Sequence, residues 1–165
     1  GSRQVDCVRH PNPKAVWPIR VAKGAFGKGA PSRDLYLSPD HAVYCQDVLI
    51  PVKYLVNGTT IAQVEVDSVT YFHVELTRHE NMLAEGLAVE SYLDSGDRDN
   101  FANGGGVMRL FPDFSGNPAQ AWRWEAFGYA PLRIVGAEVE ATRRTLERRA
   151  ASMGRRRSDR KRVAA

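Results

Sequence analysis

The chain from Val16 to about Tyr92 shows the short apolar runs and polar breaks that are typical of β-strands joined by turns. The clearest alternation runs from Ile61 to Leu76, where successive side chains are expected to face opposite sides of a sheet. One side would carry Thr70, Phe72, Val74 and Leu76, and the other Tyr71, His73, Glu75 and Thr77. This spacing of short strands predicts an all-β domain.

Turn residues separate the predicted strands at three places. Gln46-Asp47 lies between AVYC and VLIP, Asn57-Gly58 between YLV and TTI, and Glu85-Gly86 between NMLA and LAVESY. Asn-Gly is the strongest short-range hairpin signal, because both central residues of a type I′ turn need a positive φ. Each pair is predicted to form a β-hairpin.

The pattern changes after Tyr92. The segment DSGDRDNFANGGGVMRLFPDF predicts an irregular connection, and the aromatic WRWEAFGYAPL beyond it predicts a cap packed on the core. Residues 136–153 have the spacing of an amphipathic helix, which Gly154 is predicted to end. We therefore expect a β domain with its extension at 1–135, a helix at 136–153 and a disordered basic tail at 154–165.

A glycine-rich segment, AKGAFGKGAPSRD, predicts a loop early in the chain. Gly24, Gly27 and Gly29 do not have the spacing of a phosphate-binding fingerprint, and neither the Lys-Ser/Thr ending nor a following helix is present. The spacing of these glycines therefore argues against a nucleotide-binding site.

The length and composition of the chain limit the classes of protein to which it can belong. With 165 residues and 43% hydrophobic residues, the chain can bury one sizeable core. No apolar run approaches the roughly 18 residues of a membrane helix, and no leader pattern is present, so we expect a soluble chain with no membrane contact. Two cysteines are too few for a disulfide scaffold, and the compartment stays open.

The basic charge is concentrated in the tail. The chain has a net charge of +4, but residues 154–165 alone carry +5, so the remainder sums to −1. A tail of this kind would bind nucleic acid with a strong dependence on salt. Because the folded part is nearly neutral, we do not expect nucleic acid to be the partner.

The histidines are His10, His41, His73 and His79. Cys7-x-x-His10 and His41-x-x-x-Cys45 have spacings that zinc accepts, but a histidine is more often structural, and we expect no metal. Ser38 and His41 differ in kind, because a hydroxyl and an imidazole that converge on one peptide can polarise it. The simpler alternative is that Ser-Pro-Asp only caps a turn.

Two sequence blocks carry a family resemblance. SPDHAV followed by LIPVKYLVNGTTI, and then YFHVELTRHENMLAEGLAVESYL, together resemble the Hint superfamily of hedgehog and intein autoprocessing domains, most closely its bacterial members. The resemblance runs from about Val5 to beyond Ala121. It implies a hairpin-rich fold, a helper role for His41 and Ser38 in an N-to-S or N-to-O acyl shift, and a position for His73 and His79 near the same centre.

The chain departs from the family pattern in two ways. The family's nucleophile opens the domain, whereas GSRQVDCVRH resembles the family's interior, so Cys7 is not assigned that role. Inteins also end in His-Asn, and the corresponding place holds Glu90-Ser91, which argues against full splicing.

The expected function is therefore self-catalysed cleavage of the parent polypeptide, with its upstream segment as substrate and no cofactor. The nucleophile and the amino-terminal half of the domain are expected to lie outside this chain, which alone should be inert. The alternative is a degenerate, non-enzymatic Hint-like domain that mediates association in a secreted or surface protein. The family's link to secreted bacterial proteins favours export.

Overall fold

The computed structural model describes residues 1–93 and 128–163, with side chains through Arg155. Its strands, in chain order, are β1 Ser2–Asp6, β2 Ile19–Val21, β3 Leu35–Leu37, β4 Ala42–Cys45, β5 Val48–Pro51, β6 Ile61–Gln63, β7 Ser68–Phe72, β8 Asn81–Ala84 and β9 Leu87–Glu90. Short 3-10 segments span Pro13–Ala15 and Val52–Leu55, and helix α1 spans Ala137–Val163. The all-β prediction with one C-terminal helix is confirmed.

The strands form antiparallel sheets ordered β1-β7, β3-β2-β6 and β5-β4-β9-β8. In the last sheet β9 pairs with β4 through Val43 and Val89, although β4 and β9 are far apart along the chain. Because these strands are antiparallel, the end of β9 lies beside the beginning of β4. This crossover brings Glu90 next to Ala42.

Two of the three predicted hairpins are present. Gln46 and Asp47 have φ of 56° and 60° between β4 and β5, and Glu85 and Gly86 have φ of 53° and 80° between β8 and β9. Both turns therefore have the paired positive φ that matches the twist of the adjoining strands.

The hairpin predicted at Asn57-Gly58 is wrong. The residues before it form the 3-10 segment Val52–Leu55 and not a strand. The Asn57 side-chain oxygen accepts the N–H groups of Thr59 at 3.0 Å and Ile61 at 2.9 Å. A side chain thus supplies hydrogen bonds that a strand ladder would otherwise provide, as Asn often does in turns.

The alternation across Ile61 to Leu76 is also broken. This segment contains two separate strands, β6 and β7, which pair with different partners. In β7, Tyr71 is buried and its hydroxyl donates to the carbonyl of Val16 at 2.5 Å, whereas Phe72 is 72% exposed. The side that carries Tyr71 is therefore the one that packs inward at this strand.

Helix α1 packs on the main core. Val139 and Leu146 are buried within it, and Thr142 places its Oγ1 atom 3.7 Å from the Cys45 Sγ atom. The apolar spacing predicted for residues 136–153 is confirmed, but Gly154 does not end the helix, which continues to Val163. A glycine inside a helix costs only about 1 kcal/mol relative to alanine, so a single one does not have to terminate it.

The aromatic cap was predicted from Trp122, Trp124, Phe127 and Tyr129. Apart from Tyr129, these residues lie outside the described residues. Among the described residues, no helix is long and apolar enough to cross a membrane.

Candidate functional site

The Ser38-Pro39-Asp40-His41 segment forms a tight turn between β3 and β4. The His41 N–H donates to the Ser38 carbonyl at 3.1 Å, and Pro39 holds the second position, where its fixed φ suits the turn. Lys53 secures the loop, because its ammonium lies 2.5 Å from Asp40 and its N–H donates to the Pro39 carbonyl at 3.0 Å. The turn predicted as the simpler alternative is present, and it presents the His41 ring from a well-held backbone.

The His41 ring is shielded and incompletely satisfied. Its Nε2 atom has negligible solvent exposure and no hydrogen-bond partner within the described parts of the chain. Burial lowers the pKa of His41, while the Glu90 carboxylate charge and a hydrogen bond to the Glu90 carbonyl oppose that shift. The imidazole is consequently neutral at pH 7, with Nε2 left for an additional partner.

His73 lies beside His41 and not on a separate surface. The two rings have centroids 5.7 Å apart, and the Tyr92 ring meets His73 edge-on at 5.9 Å. Burial, followed by the charge of His41, lowers the pKa of His73 to about 4. Two neutral imidazoles thus share one partly enclosed space.

His79 connects to the same place through Glu90. Its Nδ1 atom accepts the N–H of Tyr129 at 2.9 Å, so the ring proton lies on Nε2. That Nε2 lies 3.8 Å from Oε2 of Glu90, which is too far for a hydrogen bond. The other oxygen, Oε1, accepts the N–H of Ala42 at 2.7 Å.

We refer to His41, His73, His79, Glu90 and Tyr92 as the histidine cluster. Ser38 is buried in the turn that carries His41, at 4% exposure. Within the described residues its hydroxyl makes no hydrogen bond with the protein. An open cavity of about 590 Å³, lined in part by His79, Tyr92 and Tyr129, adjoins the cluster.

Comparison with known proteins places the chain in a family. A family model described as Hint domain matches residues 1–96, more than half of the 165 residues. The chain belongs to the Hint domain family. The match ends at residue 96, so it does not extend beyond Ala121 as the sequence resemblance suggested. No curated protein and no solved structure gives a significant match.

Sequence reasoning did not assign a site role to Glu90 or Tyr92 in this Hint domain. The signal for Glu90 was present, because an acidic residue closes the apolar run LAVE and is only 9% exposed in the fold. Carboxylates are seldom buried without partners, so a buried one indicates a specific arrangement.

The two cysteines of the Hint domain lie at different hydrophobic clusters. Cys7 packs with Val5, Val16 and Tyr71 in a small cluster, whereas Cys45 borders the main core. Among the described residues, no group of three or more His, Cys, Asp or Glu side chains is arranged to hold a metal ion.

Acidification is expected to destabilise the Hint domain through His73. Its pKa is about 4 in the fold against 6.5 ordinarily, so between these pH values the unfolded chain binds more protons. Lowering the pH from 7 to 5 should reduce the free energy of unfolding by about 2 kcal/mol through this residue. His41, whose pKa is also lowered, adds to the loss.

Urea denaturation of wild type and His73→Gln at both pH values measures this effect. The variant should lose less stability than wild type on acidification. An equal loss in both proteins would mean that His73 is not the titrating group.

Proposed function

We propose that this Hint domain assists cleavage of its own parent polypeptide through an N-to-S or N-to-O acyl shift. The Hint domain family is linked to autoprocessing, which supports this class of reaction. The observation that carries the proposal is the shielded Nε2 atom of His41, held in the Ser-Pro-Asp-His turn without a protein partner in the described residues. A neutral imidazole in that position can exchange a proton with a bound peptide.

His41 would act first as a base and then as an acid. A hydroxyl or thiol of the parent attacks the carbonyl carbon of the preceding peptide bond, and its proton passes to Nε2. The C–N bond then breaks as that proton moves to the departing nitrogen. The resulting ester or thioester is hydrolysed by water, which completes the cleavage.

Glu90 would support His41 both when it accepts the proton and when it donates it. While the ring of His41 carries the proton, the carboxylate and the carbonyl of Glu90 stabilise the imidazolium, because both raise the pKa of His41. The Ser38 hydroxyl would donate to the developing oxyanion, His73 would remain neutral beside His41, and the Ala42 N–H would hold the Glu90 carboxylate in place.

The register of β1 and β7 supports a substrate on the amino side of Gly1. Gly1 pairs with His73, with N to O distances of 2.6 and 2.8 Å in the two directions. A residue joined to Gly1 in a longer parent would lie opposite Val74, whose carbonyl accepts the N–H of Tyr92 at 2.7 Å. The upstream part of a longer parent, which would carry the nucleophile, would thus join this chain beside the histidine cluster.

Mass spectrometry of the expressed full-length parent tests the proposal. We expect two chains whose masses sum to that of the parent plus one water, and faster cleavage with hydroxylamine, which attacks esters and thioesters. A single intact chain, with or without hydroxylamine, would overturn autoprocessing and favour the non-enzymatic association domain.

A further inference from the structure

A second site lies away from the histidine cluster, between the glycine-rich loop and α1. An open cleft of about 680 Å³ is lined by Gly24, Gly27, Lys28, Gly29, Thr145, Arg148, Arg149, Ser152 and Met153. We call it the basic cleft. It contains three cations and no Asp or Glu among the described residues that line it. We propose that the basic cleft binds the phosphate groups of a nucleic-acid backbone.

The cations of the basic cleft are available for a ligand. Lys28 and Arg149 form no ion pair within the part of the chain that the structure describes. Among the described residues, Arg148 donates only a long hydrogen bond, at 3.3 Å, to the hydroxyl of Thr145. Arginine side chains with free N–H groups suit phosphate oxygens, which accept two parallel hydrogen bonds from one guanidinium.

Arg149 is seated against the loop because residue 27 has no side chain. A Cβ atom at residue 27 would overlap Nη1 of Arg149, so any other residue would displace the guanidinium. Gly27 also has a φ of 85°, which side-chain-bearing residues rarely adopt. The loop and the helix are thus fitted to each other at a cationic group.

The loop backbone adds further donors. Lys28 has a φ of 51° and Gly29 a φ of 76°, and neither N–H donates to a protein atom in the described residues. Successive N–H groups in such conformations form concavities that bind anions. The loop lacks the glycine spacing of a nucleotide-binding loop, and two of the three cations of the basic cleft, Arg148 and Arg149, come from a helix distant in sequence.

The chemistry favours nucleic acid over a membrane surface. From Arg143 to Val163 the helix sequence is rich in arginine and lysine, and Glu147 and Asp159 are its only acidic residues. Val163 is the only large apolar residue beyond Met153 in that helix, so the sequence offers little apolar surface to insert into lipid. A long cationic helix beside the basic cleft matches the repeating charge of a phosphate backbone.

Binding of the full 165-residue chain to a fluorescent 20-base-pair DNA duplex of random sequence tests this proposal. The double variant Arg148→Gln/Arg149→Gln should bind about 10-fold more weakly at 100 mM salt, with its salt slope reduced by about 2. Arg143→Gln/Arg144→Gln is the matched control, because it removes the same charge from exposed positions of the same helix outside the basic cleft. The control variant should lose less than about 3-fold in its affinity for the duplex.

Gly27→Ala gives a test at constant charge. It should weaken DNA binding by displacing Arg149, provided that circular dichroism shows an unchanged fold. If the variant fails to fold, the two arginine variants still decide the question.

Several results would overturn the assignment. If the two arginine double variants lose equal affinity for DNA, binding depends on the overall charge or on the terminal residues and not on the basic cleft. If the chain does not bind DNA at 50 mM salt, the basic cleft is not a nucleic-acid site. Binding to vesicles containing phosphatidylserine that depends on Arg148 and Arg149, without comparable binding to DNA, would make the ligand a lipid.

Discussion

Replacing His41 by alanine is expected to slow cleavage of the full-length parent by at least about 100-fold, the usual contribution of a positioned acid or base. The variant removes the shielded Nε2 atom and leaves the Ser38-to-His41 turn intact, because the turn is held by backbone bonds and by the Lys53–Asp40 ion pair. The ratio of intact to cleaved parent over time, measured by mass spectrometry, gives the rate.

His10→Ala is the matched control. His10 is also buried, at 8% exposure, but its Nδ1 atom contacts the backbone of Asn12 locally and it lies outside the histidine cluster. The control should cleave at nearly the wild-type rate under conditions where both variants are folded. If His41→Ala cleaves as fast as His10→Ala, His41 has no role in the chemistry.

Replacing Glu90 by alanine is expected to lower the free energy of unfolding by about 3 kcal/mol and to slow cleavage. The variant leaves the Ala42 N–H without its acceptor at 2.7 Å and removes the carboxylate that faces His79. It also removes a charge that raises the pKa of His41, so an imidazolium formed at His41 in the proposed reaction would be less stable.

Glu90→Gln separates these two effects. The amide oxygen can still accept the Ala42 N–H, so most of the stability should return, whereas the charge beside His41 does not. We expect a near-wild-type urea midpoint together with slower cleavage and a rate profile shifted to lower pH. Glu65→Ala, at an exposed position, is the stability control and should change the free energy of unfolding by less than about 0.5 kcal/mol.

A Glu90→Gln parent that cleaves at the wild-type rate with an unchanged pH profile would limit Glu90 to a structural role. A Glu90→Ala domain as stable as Glu65→Ala would contradict the importance of the Ala42 contact.

Local patterns predicted what depends on neighbouring residues. The hairpins at Gln46-Asp47 and Glu85-Gly86 follow from apolar runs on both sides of two residues that accept positive φ. The Asn57-Gly58 hairpin failed because the carboxamide of Asn57 bonds nearby backbone N–H groups, a competition that strand periodicity does not reveal.

The helix shows the same division. Val139 and Leu146 were predictable as a buried face because their spacing matches the helical repeat. The end of the helix was not predictable, because the cost of Gly154 in helix propensity is too small to decide by itself where the helix ends.

The sequence by itself determined the strand-rich class, the core face of the helix and the turn that carries His41. The tertiary structure decided what surrounds that histidine. Antiparallel pairing of β4 with β9 brings Glu90 to the beginning of β4, and the path of the chain after β7 places His73 beside His41. Likewise, the packing of α1 sets Arg149 against Gly27. These contacts join residues distant in the chain, and no local spacing encodes them.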